Sequence, residues 1–512
     1  MRWSITRPAL APTGSSALGW ALAALAALAM VAVPAPLNLL AIPAIAVGVA
    51  CVRAPAVPPV LLVASVPIQA VGAVAVSGVQ LTATKAALAA SAGALLLHLV
   101  TRRDSLRWSS VLVPYGAYLL VMVASLYRAQ ELRPGIAEIY RWSVAFFALV
   151  VVLYGIRSRR AALAIPVAIG AGVLLQAGSG AVQSLQALGP ASFAVVGGLT
   201  RAYGTFGKPN TYGAYLELSV PLLLAVAMWS TGVLRDRLRR YRLTRLRGML
   251  ASRPDRIGLF RAGALALWMG GTALAGLLGI ILSFSRGAWL GTAAGLLAMV
   301  LASVHRAPVL RAGLAVVAAL AVLAVGMRYA PPAIQERYEQ LVSQVRLFDA
   351  RRVIVTDENF AAVERMAHWQ TGVAMFEANP FLGVGVGNFN VRFREFHIHP
   401  GFPNSAGHAH NYYIHAAAET GVFGLAAYLW LIGTAFAISL RAARTAPDSL
   451  GRAFGVGSVG MTAGLMVHNI VENLHVLSLG IHLAAIWALA AMALHDPPWH
   501  EPAETGGGTS SL

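Results

Sequence analysis

Residues able to do chemistry are scarce in this chain and fall in a few polar stretches between apolar runs. The densest is Gly407-His408-Ala409-His410-Asn411-Tyr412-Tyr413, followed by Glu419, Gly421 and Gly424. A neutral histidine, with an ordinary pKa of about 6.5, can take a proton from a hydroxyl nucleophile as general base. The two His-x-His pairs, His408/His410 and His397/His399, also allow a zinc reading, but no cysteine partner or obvious carboxylate triad supports it. A third reading makes the histidines a hydrogen-bonded anchor for their loop. Asn411 either orients an imidazole or caps the helix that follows, since Asn is a favoured N-cap.

Cations gather in three further stretches. Arg201-Ala-Tyr-Gly-Thr-Phe-Gly-Lys208-Pro-Asn210 precedes an apolar run. The planar fork of Arg201 suits phosphate oxygens; the alternative is an arginine snorkelling from a helix end. Arg286, in Ser283-Phe-Ser-Arg286-Gly-Ala, sits in a tight turn between two apolar runs, where a charge is costly unless it binds an anion. Arg365 either contacts a phosphate or pairs with Glu364 or Glu377 to fix its helix. A polar cluster, His468-Asn469 and Glu472-Asn473-Leu474-His475, either lines the same cavity or forms a polar turn. Cations and a base around one cavity suit a substrate with a phosphate or pyrophosphate head and a lipid tail. The arginines would stabilise charge on a departing pyrophosphate.

The elements that must position these residues are membrane helices. The chain has 512 residues, of which 58% are hydrophobic and 12% charged; soluble domains carry about 25% charged residues. Mean hydropathy is +0.68. We read about fourteen spans, near 17–33, 37–52, 58–76, 84–100, 109–127, 141–156, 162–187, 210–230, 262–282, 287–304, 309–327, 411–440, 453–470 and 475–494. The fold class expected is therefore all-α and polytopic, with about 12–14 transmembrane helices and one long, partly helical loop. The net charge of +19 is spread over short loops between spans, which excludes a nucleic-acid patch. With both termini in the cytoplasm, Arg53, Arg102, Arg157, Arg159, Arg160, the basic stretch 231–261, Arg306, Arg441 and Arg452 all fall on one side. The unusual polar residues fall on the other, outer side. Cys51 is the single cysteine, so an intrachain disulfide is impossible.

The expected organisation is an N-terminal bundle (1–187), helices carrying outer-face arginines (188–327), a periplasmic loop (328–410), C-terminal helices (411–495) and a disordered tail (496–512). The loop should hold two helices, one from Pro332 to about Phe348 and one over about 361–378, ending at Asn379-Pro380. Gly383-Val-Gly-Val-Gly387-Asn388 reads as a flexible turn, because no strand–helix unit surrounds it as a dinucleotide fingerprint requires.

These motifs resemble the O-antigen ligase and O-antigen polymerase family of bacterial envelope proteins. The resemblance covers about 185–430. It is carried by Arg201 to Asn210, Ser285-Arg286-Gly-Ala, Arg365 to Phe389, and His410-Asn411 followed after nine residues by Gly421 and after two more by Gly424. It implies a multi-spanning, lipid-sugar glycosyltransferase fold in the bacterial inner membrane with a periplasmic active site. It implies an undecaprenyl-pyrophosphate-linked glycan donor and inverting transfer with no metal or other cofactor. By position, Arg201 and Arg286 would hold the pyrophosphate and His410 would be the general base. Lys208, Asn210, Arg365, His408 and Asn411 would be substrate contacts. The acceptor would be lipid A-core in a ligase or a second lipid-linked repeat in a polymerase, with membrane lipids around the bundle and no nucleic acid as partner. Two rivals stand beside this reading. A transporter of lipid-linked sugars would be expected to show internal repeats and midplane polar sites, and a scaffold would tolerate loss of His410 and the arginines.

Overall fold

The computed structural model describes residues 38–71, 74–76, 79–102, 107–195, 198–246, 253–303, 335, 348–356, 359–405, 407–494 and 497. The expected spans 17–33 and 309–327, the first loop helix from Pro332 and the tail lie outside the described residues, apart from a few positions at their edges. The described chain is an all-α polytopic membrane protein. Its helices are α1 (Asn38–Arg53), α2 (Val57–Ser65), α3 (Ala83–Arg102), α4 (Leu112–Ser125), α5 (Leu132–Gly155), α6 (Arg159–Leu185) and α7 (Pro209–Leu246). They continue with α8 (Arg253–Leu282), α9 (Arg286–Ser303), α10 (Phe360–Ala378), α11 (Phe389–Phe396), α12 (Tyr412–Thr445), α13 (Ser449–His468) and α14 (Leu479–Met492). Among the described residues, eight helices are long and apolar enough to cross a membrane, and three more apolar helices are shorter.

Three boundaries differ from the sequence reading. The span expected at 58–76 ends with a 3-10 turn at Val66–Ile68, and a short antiparallel hairpin follows (β1 Val74–Val76, β2 Val79–Leu81). The span expected from 141 begins at Leu132, so its first turns carry Arg133, Glu138 and Arg141, which mask it in a hydropathy pattern. The basic stretch 231–261 is largely helical: α7 runs on to Leu246 and α8 starts at Arg253. Arginine and leucine are good helix formers, so the chain stays helical after it leaves the apolar zone.

The bundle core forms around α7, whose turns from Tyr212 to Val226 are almost entirely buried against α8, α13 and α9. One end of the bundle collects basic groups: Arg159 stacks on Trp229 at 5.1 Å, and Trp229 donates to Ser449 at 3.0 Å. The other end collects the polar motifs, beneath α10 and α11.

That lid is fixed on α12 by backbone geometry. Gly421 has φ +67, which breaks the α12 ladder and frees carbonyls of the preceding turn. The glycine turn fills the gap: Val384 N–H donates to Ala418 O at 2.8 Å and Gly385 N–H to Glu419 O at 3.0 Å. A side chain at 421 would strike the Phe381 carbonyl, so glycine is required twice over. Glu419 then accepts from the N–H groups of Gly387 and Phe389, at 2.8 and 2.9 Å, and so holds the start of α11.

Candidate active site

Pro209 opens α7 at a position where its missing N–H is no loss. The turn before it is threaded between helices, with Ala202 N–H bonded to Leu282 O at 2.8 Å. This places Arg201 beside the α8–α9 turn. Its Nε donates to Ser283 O at 3.1 Å and its Nη2 to Asn210 Oδ1 at 2.9 Å. The amide of Asn210 in turn donates to Glu472 Oε2 at 2.6 Å. Oε1 of the same carboxylate lies 3.3 Å from His408 Nε2 and 3.3 Å from His410 Nδ1. One continuous polar chain therefore runs from Arg201 through Asn210 and Glu472 to both histidines, linking residues from three separate stretches of sequence.

Arg286 is the first residue of α9 and is buried. It lines a cavity of about 50 Å³ together with Arg201, Asn210, Ser285, Arg365, His468 and Glu472. The N-terminus of α9 opens on this cavity through Ser285, Arg286 and Gly287, where helix N–H groups and the helix dipole favour an anion. Phe284, with φ +47, turns the chain sharply enough to put Arg286 there.

His410 is held in the left-handed region at φ +54. Such a conformation costs about 1–3 kcal/mol and persists where neighbours impose it. Here Trp369 Nε1 on α10 donates to the His410 carbonyl at 3.1 Å, and the His410 N–H donates to His408 Nδ1 at 3.1 Å. Because His408 Nδ1 accepts, its ring proton sits on Nε2, facing Glu472. On the membrane side Tyr412 N–H donates to Asn469 O at 2.8 Å. Asn469 and His475 both bond Tyr428, at 2.9 and 3.0 Å, so the loop carrying Glu472 is tied to α12.

The electrostatics follow. Burial works to raise Glu472, but His408, His410 and Arg365 outweigh it and hold the carboxyl well below its usual range. Burial pushes His408 down to about 3 in spite of that carboxylate, with His410, His415 and Lys208 adding to the fall. Glu472 is thus ionised and His408 neutral. His410 Nδ1 lies 3.3 Å from Glu472 Oε1, although neither ring nitrogen of His410 has a hydrogen-bond partner among the described residues. An imidazole with Nδ1–H toward a carboxylate and a bare Nε2 is set up to accept a proton.

The remaining sequence expectations sort unevenly. Lys208 is exposed, and its charge reaches the site only through His408. Asn411 caps α12, accepting from Ile414 N–H at 3.1 Å. His397 and His399 are spent on backbone carbonyls, that of Arg394 in α11 and that of Val353. The zinc alternative therefore loses that pair, although ligating atoms of His408, His410 and Glu472 lie within 4.8 Å of one another. Of the outer cluster, Glu472 is the junction of the network and His468 lines the cavity. The sequence suggested only that they might share it.

The fold and site together define a polytopic membrane protein with an arginine-lined cavity and a histidine–carboxylate network at one end of its bundle. Residues 271–429 match the family model described as O-antigen ligase. The resemblance seen in the motifs from Ser285 to Gly424 therefore stands, and it supports a membrane glycosyl-transfer function of ligase type. The matched segment includes Arg286, Arg365, His408 and His410, while Arg201 and Asn210 precede it and His468 and Glu472 follow it. No curated protein matches the chain significantly.

Proposed function

We propose that the protein transfers a glycan from undecaprenyl pyrophosphate to a sugar hydroxyl of an acceptor, lipid A-core or similar, on the periplasmic face of the inner membrane. The reading rests on one observation above others: His410, with Nε2 unpartnered, shares the Glu472 carboxylate network that runs to Arg201, beside the cavity lined by Arg286. In this mechanism His410 Nε2 takes the proton of the acceptor hydroxyl. The oxygen forms a bond to the anomeric carbon from the face opposite the pyrophosphate, which inverts the configuration. The bond to the pyrophosphate oxygen breaks and its electron pair leaves with the phosphate. Arg201, Arg286 and Arg365 take up that charge, and Glu472 stabilises the imidazolium that forms on His410. Asn210 fixes Arg201 against Glu472. The proton goes to a histidine and the charge to arginines, so the step needs neither metal nor nucleotide.

The test is transfer by purified protein in nanodiscs, given a polyprenyl-pyrophosphate-linked glycan, no nucleotide, and chelator in one arm. Chelator-insensitive transfer to lipid A-core supports the proposal. Transfer only to a second lipid-linked repeat would make the protein a polymerase. Chelator-sensitive transfer would convert the His408–His410–Glu472 trio to a metal site. Movement of the lipid across the bilayer without transfer would replace the proposal by a transporter.

A further inference from the structure

A second histidine–carboxylate pair lies behind the arginines. Glu217, on the third turn of α7, has Oε2 2.5 Å from Nδ1 of His468, the last residue of α13, and both side chains are 1% exposed. Oε1 of Glu217 has no hydrogen-bond partner among the described residues. An ionisable pair buried in a membrane bundle, with an acceptor left unsatisfied, is costly to keep. The surrounding helices are cut away to admit it. Gly287, Gly291 and Gly295 form one face of α9 and meet Gly460, Gly464 and His468 on α13. A Cβ at Gly291 would strike the Glu217 carboxylate, and one at Gly287 would strike the His468 ring at Nε2. Small residues at every fourth position let two helices approach closely. Here that approach makes room for this pair and brings the Nε2 edge of His468 to the wall of the cavity that Gly287 and Arg286 also line.

We propose that His468, oriented by Glu217, is a further ligand of the pyrophosphate in this cavity. The proposal rests on the reading of the cavity as the donor's pyrophosphate site. With the Nδ1 side committed to Glu217, the ring meets the cavity through Nε2 alone. A phosphate oxygen requires a donor there, so the ring binds it as the imidazolium, with the Glu217 carboxylate balancing the added proton. His468 then adds a charge-assisted hydrogen bond from the end of α13. Glu217 acts through His468 and is a positioning residue.

The test reads binding directly, without transfer. The wild type, His468→Ala, His468→Gln, Glu217→Gln and the double variant Glu217→Gln/His468→Gln are titrated with farnesyl pyrophosphate in nanodiscs. Thermal unfolding is recorded for each. His468→Ala is expected to raise Kd about tenfold or more, the loss of one charge-assisted bond. His468→Gln, which keeps an N–H at similar reach, recovers part of it. Glu217→Gln weakens binding by itself but adds nothing once His468 is Gln, the non-additivity expected of one coupled unit. In steady-state transfer the donor KM rises while kcat and the acceptor KM hold, a split that a general loosening of the bundle would not give. Wild-type Kd in folded His468→Ala or His468→Gln would overturn the assignment. So would equal, additive losses for the two positions. Were His468→Ala too unstable to purify, His468→Gln and the cycle with Glu217→Gln decide by the same criteria. A wild type that binds farnesyl pyrophosphate but transfers no glycan would sink the proposed reaction and leave this site standing.

Discussion

His410 Nδ1 and Glu472 Oε1 lie 3.3 Å apart, although one residue ends the long loop and the other sits in the turn between α13 and α14. The carboxylate touches both histidines and, through Asn210, Arg201. Glu472→Gln keeps the shape and removes the charge that stabilises an imidazolium. Its kcat is expected to fall by a factor on the order of 10², with donor affinity little changed. Steady-state transfer assays check this.

Asn210 bridges Arg201 and Glu472 at 2.9 and 2.6 Å. Asn210→Ala leaves a partly buried guanidinium and a buried carboxylate each short of one partner. That loss is worth about 1–3 kcal/mol, or roughly 5- to 150-fold in kcat/KM for the donor. The effect should be smaller in an Arg201→Ala background, where only the bond to Glu472 is left to lose, and a double-mutant cycle measures the difference.

Asn411 gives the opposite pattern. Its side chain caps α12, so Asn411→Ala should lower stability by about 1 kcal/mol while turnover per folded molecule holds. Thermal unfolding together with initial rates separates this from a substrate contact. Lys208→Ala, outside the cavity wall, should leave transfer near wild type.

The pH dependence of stability has a definite sign. Folded His408 titrates at about 3, whereas the released side chain returns to about 6.5. Between those values the unfolded chain binds a proton that the folded chain does not, so stability rises with pH. Glu472 acts in the same direction lower down, its folded pKa lying well below the ordinary 4.5. Stability from it is present above that ordinary value and is lost as pH falls through the folded one. Unfolding temperature should therefore fall from neutral pH to about pH 5, and His408→Gln should flatten that fall.

The membrane class and most helices were legible because long apolar runs leave few alternatives. The runs that misled were those with mixed signals, namely the polar first turns of α5 and the arginine-rich end of α7. Arg201, Arg286, His408 and His410 were visible because each is a polar residue at an apolar boundary, and Arg365 because it stands in one of the stretches that carry the family resemblance. Their convergence was not visible, since it depends on contacts between distant stretches such as Asn210 with Glu472. Glu217 carried a signal, as a lone acid in an apolar span, but nothing local pairs it with His468. The fate of His397, His399 and Asn411 was settled by backbone carbonyls and N–H groups, which every sequence possesses and none displays.

The central claim is that His410 is the base. Single-turnover transfer by His410→Ala, with and without added imidazole, tests it most directly. The rate should fall by about 10²–10⁴, with donor binding intact and activity partly restored by imidazole. Transfer by folded His410→Ala at the wild-type rate would contradict the account.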